Sequence, residues 1–373
     1  MSAEEIAIES GIDPSFLRRV LGALVFIGEL TLEKSGRFLL SQKSESKTPE
    51  YRHEAIFWLA HQRFEALHRK VRLVRGESFS EVHFQNLIKW NILKPNGEVE
   101  NAYQEQLDKR SPNFKIPSVL FFEQVLSRLY SFLVLERTIT EGGNQWRSEY
   151  DLQSNDSFSA YGKRDDLLID LVKGFHFANV DQNRAAIKKF KTHLDGARRA
   201  LDVGGSLGAF ARQLEIEIPS LEDLSILEKP EAKNTLDLIR RDLGIDYSFN
   251  YFWDDFLQFQ DDNYFHGVGS EETFDIVSLG WILHDWSDET SLKILKRSAG
   301  QLNSGGHLII LERVLDSNLT GPVTLPDIDM MLMTEGKERT LSEFNNLAAA
   351  AGFEFVDWID LTPGRSGILY QKK

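Results

Sequence analysis

Short apolar runs alternate with amphipathic segments along the C-terminal half of the chain, from Arg199 onward. The runs are rich in Val, Ile, Leu and Phe, as in strands buried on both faces, and the segments between them have the 3.6-residue period of helices. Strands are predicted at residues 200–203, 224–227, 247–252, 274–279, 307–312, 354–359 and 367–370. The alternation predicts a mostly parallel, doubly wound α/β sheet with a ligand site at the carboxyl ends of its strands. A short Pro-Gly connection joins the last two strands, so we expect them to pair antiparallel.

The N-terminal part has a different organisation. Ser2 and Glu5 have the spacing of a capping box, which predicts a helix at the start of the chain. A second helix with apolar periodicity follows from Asp13, and residues 30–40 are typical of a two-stranded wing. Residues 50–146 contain two stretches with helical apolar spacing and large side chains, which indicate buried helices around a pocket or an interface. This outline predicts a mostly helical, winged-helix-like domain over residues 1–165 and a second domain over residues 166–373.

Composition narrows the possible functions. The 373 residues are 42% hydrophobic, which is enough for a sizeable core. The net charge of −14 argues against nucleic acid, and the second helix offers only Arg18 and Arg19 as base-reading side chains. No apolar run reaches membrane-spanning length and the first residues lack the order of a signal peptide, so we expect a cytoplasmic protein with no membrane partner. The absence of cysteine excludes disulfides and thiolate metal sites.

A glycine turn follows the strand at 200–203. Gly204, Gly205 and Gly208 precede a helix that begins at Ala209, and such a turn presents backbone N–H groups to a ligand. The spacing does not fit the G-x-G-x-x-G dinucleotide fingerprint, and the Gly-Lys-Ser/Thr of a Walker loop is missing. It does fit the D-x-G-G-x-x-G turn of class I S-adenosylmethionine (SAM) enzymes.

Acidic residues end the next two strands. Glu228 follows the second strand, where a carboxylate can accept hydrogen bonds from both hydroxyls of a ribose. Asp254 and Asp255 follow the third strand, where the adenine edge would lie. The glycine turn and these carboxylates together indicate a SAM site.

Three longer motifs carry a family resemblance: HDWSDE at 284–289, GGHLIILERVL at 305–315 and DIDMMLMTEGKERTLSEFNNLAAAAGF at 327–353. They resemble the small-molecule O-methyltransferases that include plant caffeic acid methyltransferases and bacterial antibiotic-tailoring enzymes. The resemblance implies a class I SAM-methyltransferase sheet of seven strands, the last antiparallel, and an N-terminal winged-helix-like domain that forms a homodimer. It implies SAM as cofactor, S-adenosylhomocysteine as product and a small-molecule acceptor.

The same resemblance implies the catalytic residues. His284 is the predicted general base, since an imidazole with a pKa near ~6.5 is half available at neutral pH. Glu312 and Glu338 match the two carboxylates that flank this histidine in the family. Asp285 is expected to orient the loop, and Trp286 to pack near the adenine or beneath the loop.

The acceptor pocket is predicted less sharply. Phe175 and Asn179 lie in the segment that faces substrate and cofactor in the family, and Trp281 and Leu332 are further candidates for contact with substrate. Asn179 stands where many members have methionine, which hints at a less purely aromatic acceptor. Among other departures, Ser206-Leu207 replaces the commoner Gly-Thr.

A metal is not expected. Some relatives bind iron or zinc through the His-Asp of this motif and a later histidine, and the only later histidine here is His307, at the base of its strand. The third ligand is therefore absent.

The function expected is O-methylation of a phenolic or enolic hydroxyl of a small secondary metabolite. Three alternatives stay open: C- or N-methylation, or a non-methyl SAM-assisted reaction such as hydroxylation or cyclisation, on the same fold; a winged-helix regulator that senses SAM; and a non-catalytic partner subunit.

Overall fold

The computed structural model describes residues 2–10, 14–26, 30–40, 172, 176, 180–258, 263–321, 323–362 and 365–373. The chain divides into two compact units, Met1–Asn155 and Asp156–Lys373. The helices predicted within 50–146 lie outside the described residues, as do Phe175, Asn179 and the side chain of Leu332.

The described part of the first unit consists of two helices and a hairpin. They are α1 (Ala3–Ser10), α2 (Pro14–Phe26), β1 (Leu30–Leu32) and β2 (Phe38–Leu40), and β1 pairs antiparallel with β2. The predicted capping box is confirmed, because Ser2 N donates to Glu5 Oε2 at 2.8 Å and Glu5 N donates to Ser2 Oγ at 3.1 Å. Leu17, Leu21 and Leu24 of α2 form a small apolar cluster with α1.

The described part of the second unit alternates helices and strands. Its helices are α3 (Val180–Leu194), α4 (Ala209–Glu217), α5 (Lys233–Leu243), α6 (Asp288–Gln301), α7 (Thr324–Met333) and α8 (Leu341–Ala350). Its strands are β3 (Arg199–Val203), β4 (Asp223–Glu228), β5 (Asn250–Trp253), β6 (Phe274–Gly280), β7 (Leu302–Glu312), β8 (Val314–Leu315), β9 (Arg339–Thr340), β10 (Phe353–Thr362) and β11 (Arg365–Lys372).

Seven of these strands form one sheet in the order β10-β11-β7-β6-β3-β4-β5. The pairs from β5 to β7 are parallel, whereas β11 runs antiparallel to both of its neighbours, so the predicted doubly wound sheet with one reversed strand is confirmed. Val203 pairs with Leu227 on one side and Leu279 on the other, so the carboxyl ends of the central strands lie side by side.

Two predicted strand starts differ from the structure by three residues or more. The third strand begins at Asn250 instead of Tyr247, since the Tyr247 carbonyl accepts a hydrogen bond from the Arg240 side chain. The fifth begins at Leu302 instead of His307, because an irregularity in the β6–β7 register lets Leu302 pair with Phe274. The strand cores are as predicted.

Apolar layers cover both faces of the sheet. Phe190 of α3 and Phe210 of α4 pack on one face with Ile276, and Phe344 of α8 packs on the other face in the cluster of Val277. Successive residues of β6 therefore enter opposite layers, which is why its sequence is apolar without alternation. Among the described residues no helix is both long and apolar enough to cross a membrane.

A buried arginine joins β9 to the segment after β6. Arg339 is fully buried, and its guanidinium donates to the carbonyl oxygens of Leu283 at 2.7 Å and Trp286 at 2.8 Å. Its Nε donates to Asp288 Oδ1 at 2.9 Å, at the start of α6. One side chain thus fixes the backbone between a strand end and the next helix.

We expect Arg339→Met to lower the free energy of unfolding by about 2–4 kcal/mol, because it removes the charged donor from two buried carbonyls. Urea denaturation followed by circular dichroism measures this change. The matched control is Arg198→Met, since the ion pair between Arg198 and Glu222 is solvent-exposed and should contribute little to stability. Equal losses in the two variants would contradict the expectation.

Candidate active site

The glycine turn after β3 is a cradle made of backbone. Gly204 and Gly208 have φ angles of 67° and 81°, in the left-handed region that favours glycine. A Cβ on Gly205 would lie 2.6 Å from Asp202 Oδ2, and one on Gly208 would lie 2.6 Å from the Phe249 ring. The turn can lie this close to its neighbours only because residues 205 and 208 have no side chain. Helix α4 begins directly after the turn.

Asp202 lies under this turn and was not selected as a site residue from the sequence. The side chain is buried, and its Oδ1 accepts a hydrogen bond from Ser278 Oγ at 2.7 Å. Its Oδ2 is buried and has no hydrogen-bond partner among the described residues. Burial raises the pKa of Asp202 to about 7, against the hydrogen bond from Ser278. A buried carboxylate oxygen of this kind is suited to a donor or cation from a ligand.

Glu228 ends β4 beside the turn, as predicted. Its Oε2 accepts from Ser206 N at 3.0 Å and its Oε1 from Lys229 N at 2.9 Å. Burial raises the pKa of Glu228, while these two N–H groups act in the opposite direction. Each oxygen of a carboxylate has two acceptor positions, so both oxygens can accept a further hydrogen bond.

Asp254 and Asp255 follow β5 at the same edge of the sheet. Asp254 N donates to the Glu228 carbonyl at 3.0 Å, and Asp254 Oδ2 lies 3.2 Å from His266 Nδ1. Asp255 Oδ2 lies 3.8 Å from Lys229 Nζ. The three predicted acidic residues are therefore brought together along the ends of β4 and β5.

His284 lies in a short 3₁₀ turn, Leu283–Asp285, that follows β6. The ring is 6% exposed, and three carboxylates surround it. Nδ1 lies 3.2 Å from Glu338 Oε1 and 3.8 Å from Glu312 Oε2, and Nε2 lies 3.7 Å from Asp285 Oδ2. The structure thus places the three predicted catalytic side chains in one cluster.

Glu312 holds the backbone that carries the histidine. It ends β7 and is fully buried, and its Oε1 accepts the N–H groups of Ile282 at 2.9 Å and Leu283 at 2.8 Å. Burial raises the pKa of Glu312, opposed by the charge of His284. Glu312 therefore combines a structural contact with a negative charge near the ring.

Glu338 makes the closest contact with the ring. Its Oε1 is shared between His284 Nδ1 and Arg313 Nη1, which lies at 3.0 Å. Burial opposes ionisation of Glu338, but the positive charges of His284 and Arg313 outweigh it and lower the pKa of this carboxyl. Gly336 lies two residues earlier, where a Cβ would be 2.0 Å from the carbonyl oxygen of His284. Close packing of the Gly336 backbone against the His284 backbone therefore sets the position of Glu338 relative to the histidine.

The pKa of His284 differs from that of a free imidazole. Burial lowers the pKa of His284, but the charges of Asp285, Glu312 and Glu338 outweigh burial and raise this pKa to about 10. The side chain is therefore an imidazolium at neutral pH in the ligand-free protein.

Trp281 lies beside the histidine at the end of β6, with its ring centroid 5.3 Å from that of His284. Its backbone has a φ of 58°, which is rare for a residue with a Cβ. The guanidinium groups of Arg313 and Arg365 lie 4.4 Å and 4.9 Å from the indole centroid. Neither arginine was selected from the sequence, because an isolated arginine in a strand-rich segment gives no signal of its own. Trp286 is buried in the apolar core, which favours the prediction that it packs beneath the loop.

The cluster also has the composition of a cation site. His284, Glu312 and Glu338 each offer one ligand atom, and these atoms lie within 4.8 Å of one another. The sequence argument against a metal considered only a later histidine, and His307 lies near His193, with ring centroids 6.3 Å apart. The two carboxylates are the alternative ligands that this argument omitted.

Comparisons with known proteins give a consistent family. A family profile described as "O-methyltransferase domain" matches residues 132–354. Chavicol O-methyltransferase from Ocimum basilicum is 32% identical over 171 residues, 44% of this chain and 43% of that protein. Acetylserotonin O-methyltransferase from Bos taurus is 26% identical over 60% of this chain and 61% of its own length. The chain thus matches between about two fifths and three fifths of these relatives.

Solved structures show the same fold at lower sequence identity. The crystal structure of human N-acetylserotonin methyltransferase in complex with SAM aligns with 88% of this chain and 99% of its own, with a TM-score of 0.62 and 18% identity. Identity at this level supports the fold alone, whereas the family profile covers more than half of the 373 residues. On that match, together with the sheet and the residues gathered at its edge, the chain belongs to the O-methyltransferase domain family.

Proposed function

We propose that this protein is a SAM-dependent O-methyltransferase that methylates a phenolic or enolic hydroxyl of a small secondary metabolite, with His284 as general base. One observation carries the proposal: the glycine turn with Glu228 and the histidine cluster lie at the carboxyl ends of adjacent strands of one sheet. A cofactor held by the first group and an acceptor held by the second would meet at this edge.

The residues at the first group fit SAM. Asp202 Oδ2, buried without a hydrogen-bond partner among the described residues, suits the ammonium of the methionine part, and neighbouring Gly204 and Gly205 have no Cβ to block its approach. Glu228 would accept hydrogen bonds from the ribose hydroxyls, and Asp254 and Asp255 would border the adenine. SAM supplies an electrophilic methyl group on its sulfonium, and S-adenosylhomocysteine is the product. The SAM-bound structure of the human relative supports this assignment.

His284 would take the proton of the acceptor hydroxyl. Its pKa of about 10 is close to that of a phenol, also about 10, so transfer of the proton between them is nearly balanced in free energy. An imidazolium beside a phenolate carries the same number of protons as a neutral imidazole beside a phenol. Either pair can therefore be written as the reactive state. Glu338 stabilises the imidazolium, and Glu312 holds the loop so that the ring keeps its place.

Several finer assignments stay predictions. They are the acceptor contacts of Phe175, Asn179, Trp281 and Leu332, the domain boundary at 165/166, the homodimer and the cytoplasmic location. No resident metal is proposed, because Nδ1 of His284 already faces Glu338, which also pairs with Arg313.

The function is tested by incubating the protein with SAM and a panel of phenolic and enolic acceptors, with and without EDTA, and analysing the products by mass spectrometry. We expect an acceptor that is one methyl group heavier, equimolar S-adenosylhomocysteine and no effect of EDTA. Consumption of the acceptor without S-adenosylhomocysteine would favour a non-methyl reaction. A methyl group on carbon or nitrogen would favour C- or N-methylation. Loss of activity in EDTA would favour a metal-dependent reaction.

His284→Gln should lower kcat by about 10²- to 10⁴-fold, the usual contribution of a positioned general base, while the affinity for SAM stays nearly unchanged. Steady-state kinetics and calorimetric titration with SAM measure the two quantities. His193→Gln, in α3, is the control and should change neither. A parallel loss of affinity and rate would show that His284 is structural.

The pH dependence gives a separate test. His284 accepts a proton only when neutral, so kcat/KM should rise as the pH increases from 7 toward 10. Glu338→Gln removes one of the negative charges that face the ring and the charge of its hydrogen-bond partner, and the loss of this charge lowers the pKa of His284. The rising limb should therefore move to lower pH, and it should stay in place in the exposed control Glu289→Gln. A shift to higher pH would contradict the assignment of the base.

A further inference from the structure

Ser206 has an unusual place in the glycine turn. It occupies the position where glycine is commoner in the family that the sequence resembles, yet its φ of 53° lies in the left-handed region. A residue with a Cβ populates this region less than glycine does, by a factor of about 5 to 30. Some other contact must therefore favour this conformation.

Two side chains hold the peptide groups of Ser206. Its N–H donates to Glu228 Oε2 at 3.0 Å, and its carbonyl oxygen accepts from Tyr251 Oη at 2.8 Å. Glu228 is the carboxylate assigned to the ribose, so the orientation of Ser206 and that of Glu228 are coupled through one hydrogen bond.

Tyr251 is itself fixed by its neighbours. It lies in β5 opposite Ile226 of β4, and its ring is stacked on Trp253, with centroids 4.8 Å apart and an interplanar angle of 9°. Arg240 Nη1 lies 3.3 Å from Tyr251 Oη, so the hydroxyl can accept from the arginine while it donates to Ser206. Burial raises the pKa of Tyr251, and its hydroxyl therefore keeps the donated proton at neutral pH.

We propose that Tyr251 is a positioning residue of the cofactor site, whose hydroxyl, anchored by Arg240, holds Ser206 in the left-handed conformation and thereby keeps Glu228 in place for the ribose. The hydrogen bond supplies a preference of about 2- to 12-fold, which is comparable to the conformational cost of the serine. This inference rests on the proposed use of SAM, because Glu228 is assigned to that cofactor.

A double-mutant cycle separates this role from general support of the fold. Tyr251→Phe should weaken binding of S-adenosylhomocysteine, measured by calorimetry, by about 5- to 10-fold. Ser206→Gly completes the cycle: added to Tyr251→Phe, it should restore most of the lost affinity, because glycine adopts the left-handed conformation without help. If the double variant bound as weakly as Tyr251→Phe alone, the inference would be overturned.

Tyr370→Phe is the matched control. Tyr370 is buried and donates one hydrogen bond, to Asn345 Oδ1 at 2.8 Å, but it lies in β11, far from β5 in the strand order. It should leave the affinity for S-adenosylhomocysteine unchanged. A loss equal to that of Tyr251→Phe would mean that any lost tyrosine hydroxyl weakens binding, and would also overturn the inference.

Hydrogen exchange of the ligand-free protein gives a readout that does not depend on the cofactor. Amides of residues 204–208 should exchange faster in Tyr251→Phe and return toward the original rate in the double variant. Unchanged exchange in Tyr251→Phe would overturn the inference. If exchange behaved as expected but the unsubstituted protein bound neither SAM nor S-adenosylhomocysteine, the proposed function would fail while the positioning of Ser206 by Tyr251 would stand.

Discussion

The short segment after β6 is held by two buried charges of opposite sign. Glu312 accepts the N–H groups of Ile282 and Leu283, and Arg339 donates to the carbonyl oxygens of Leu283 and Trp286. Neutral partners would make weaker hydrogen bonds than these charged groups do. The 3₁₀ turn that carries the histidine is therefore clamped through its own peptide groups, and the rest of the cluster is arranged around it.

This clamp explains how a loop can hold an ionised ring away from solvent. The imidazolium of His284 is buried, and burial alone would expel its proton. Three carboxylates reverse that preference, and they come from different parts of the fold: Asp285 from the turn itself, Glu312 from the end of β7, and Glu338 from just before β9. Electrostatic stabilisation of this kind depends on groups that are already oriented before the ligand arrives.

Much of this arrangement can be predicted from the sequence, and the limit of prediction has a physical cause. The family resemblance of three motifs implied His284, Glu312 and Glu338, and the alternation of strands and helices predicted the sheet edge at which His284 and Glu312 lie. The sequence does not show which distant groups face them. Tyr251 lies in a predicted strand and Arg339 in the last of the family motifs, and neither pattern shows the partners, which lie on other elements. The pKa of His284 was likewise missed, because it is set by the balance between burial and the charges of Asp285, Glu312 and Glu338, and the sequence gives neither the burial nor the distances.

Most of the residues predicted to line the acceptor pocket remain predictions from the sequence. Phe175 and Asn179 are outside the described residues, and the side chain of Leu332 is too, so the structure adds only Trp281 on that side. Trp281 contacts the ring of His284 and lies near Arg313, which also pairs with Glu338. Through these contacts, the side chain predicted to face the acceptor is linked to His284 and Glu338, the groups proposed to take part in proton transfer.

The close packing of Gly336 has a practical consequence for anyone who wishes to change acceptor specificity. There is no room for even a methyl group between residue 336 and the main chain of the histidine turn. Any side chain at position 336 would therefore displace the turn that carries His284. Helix α7 ends at Met333, before this contact, but its buried Asp327 accepts a hydrogen bond from Glu338 N at 2.8 Å. Libraries in this helix should therefore leave Asp327 unchanged, so that Glu338 keeps its place beside His284.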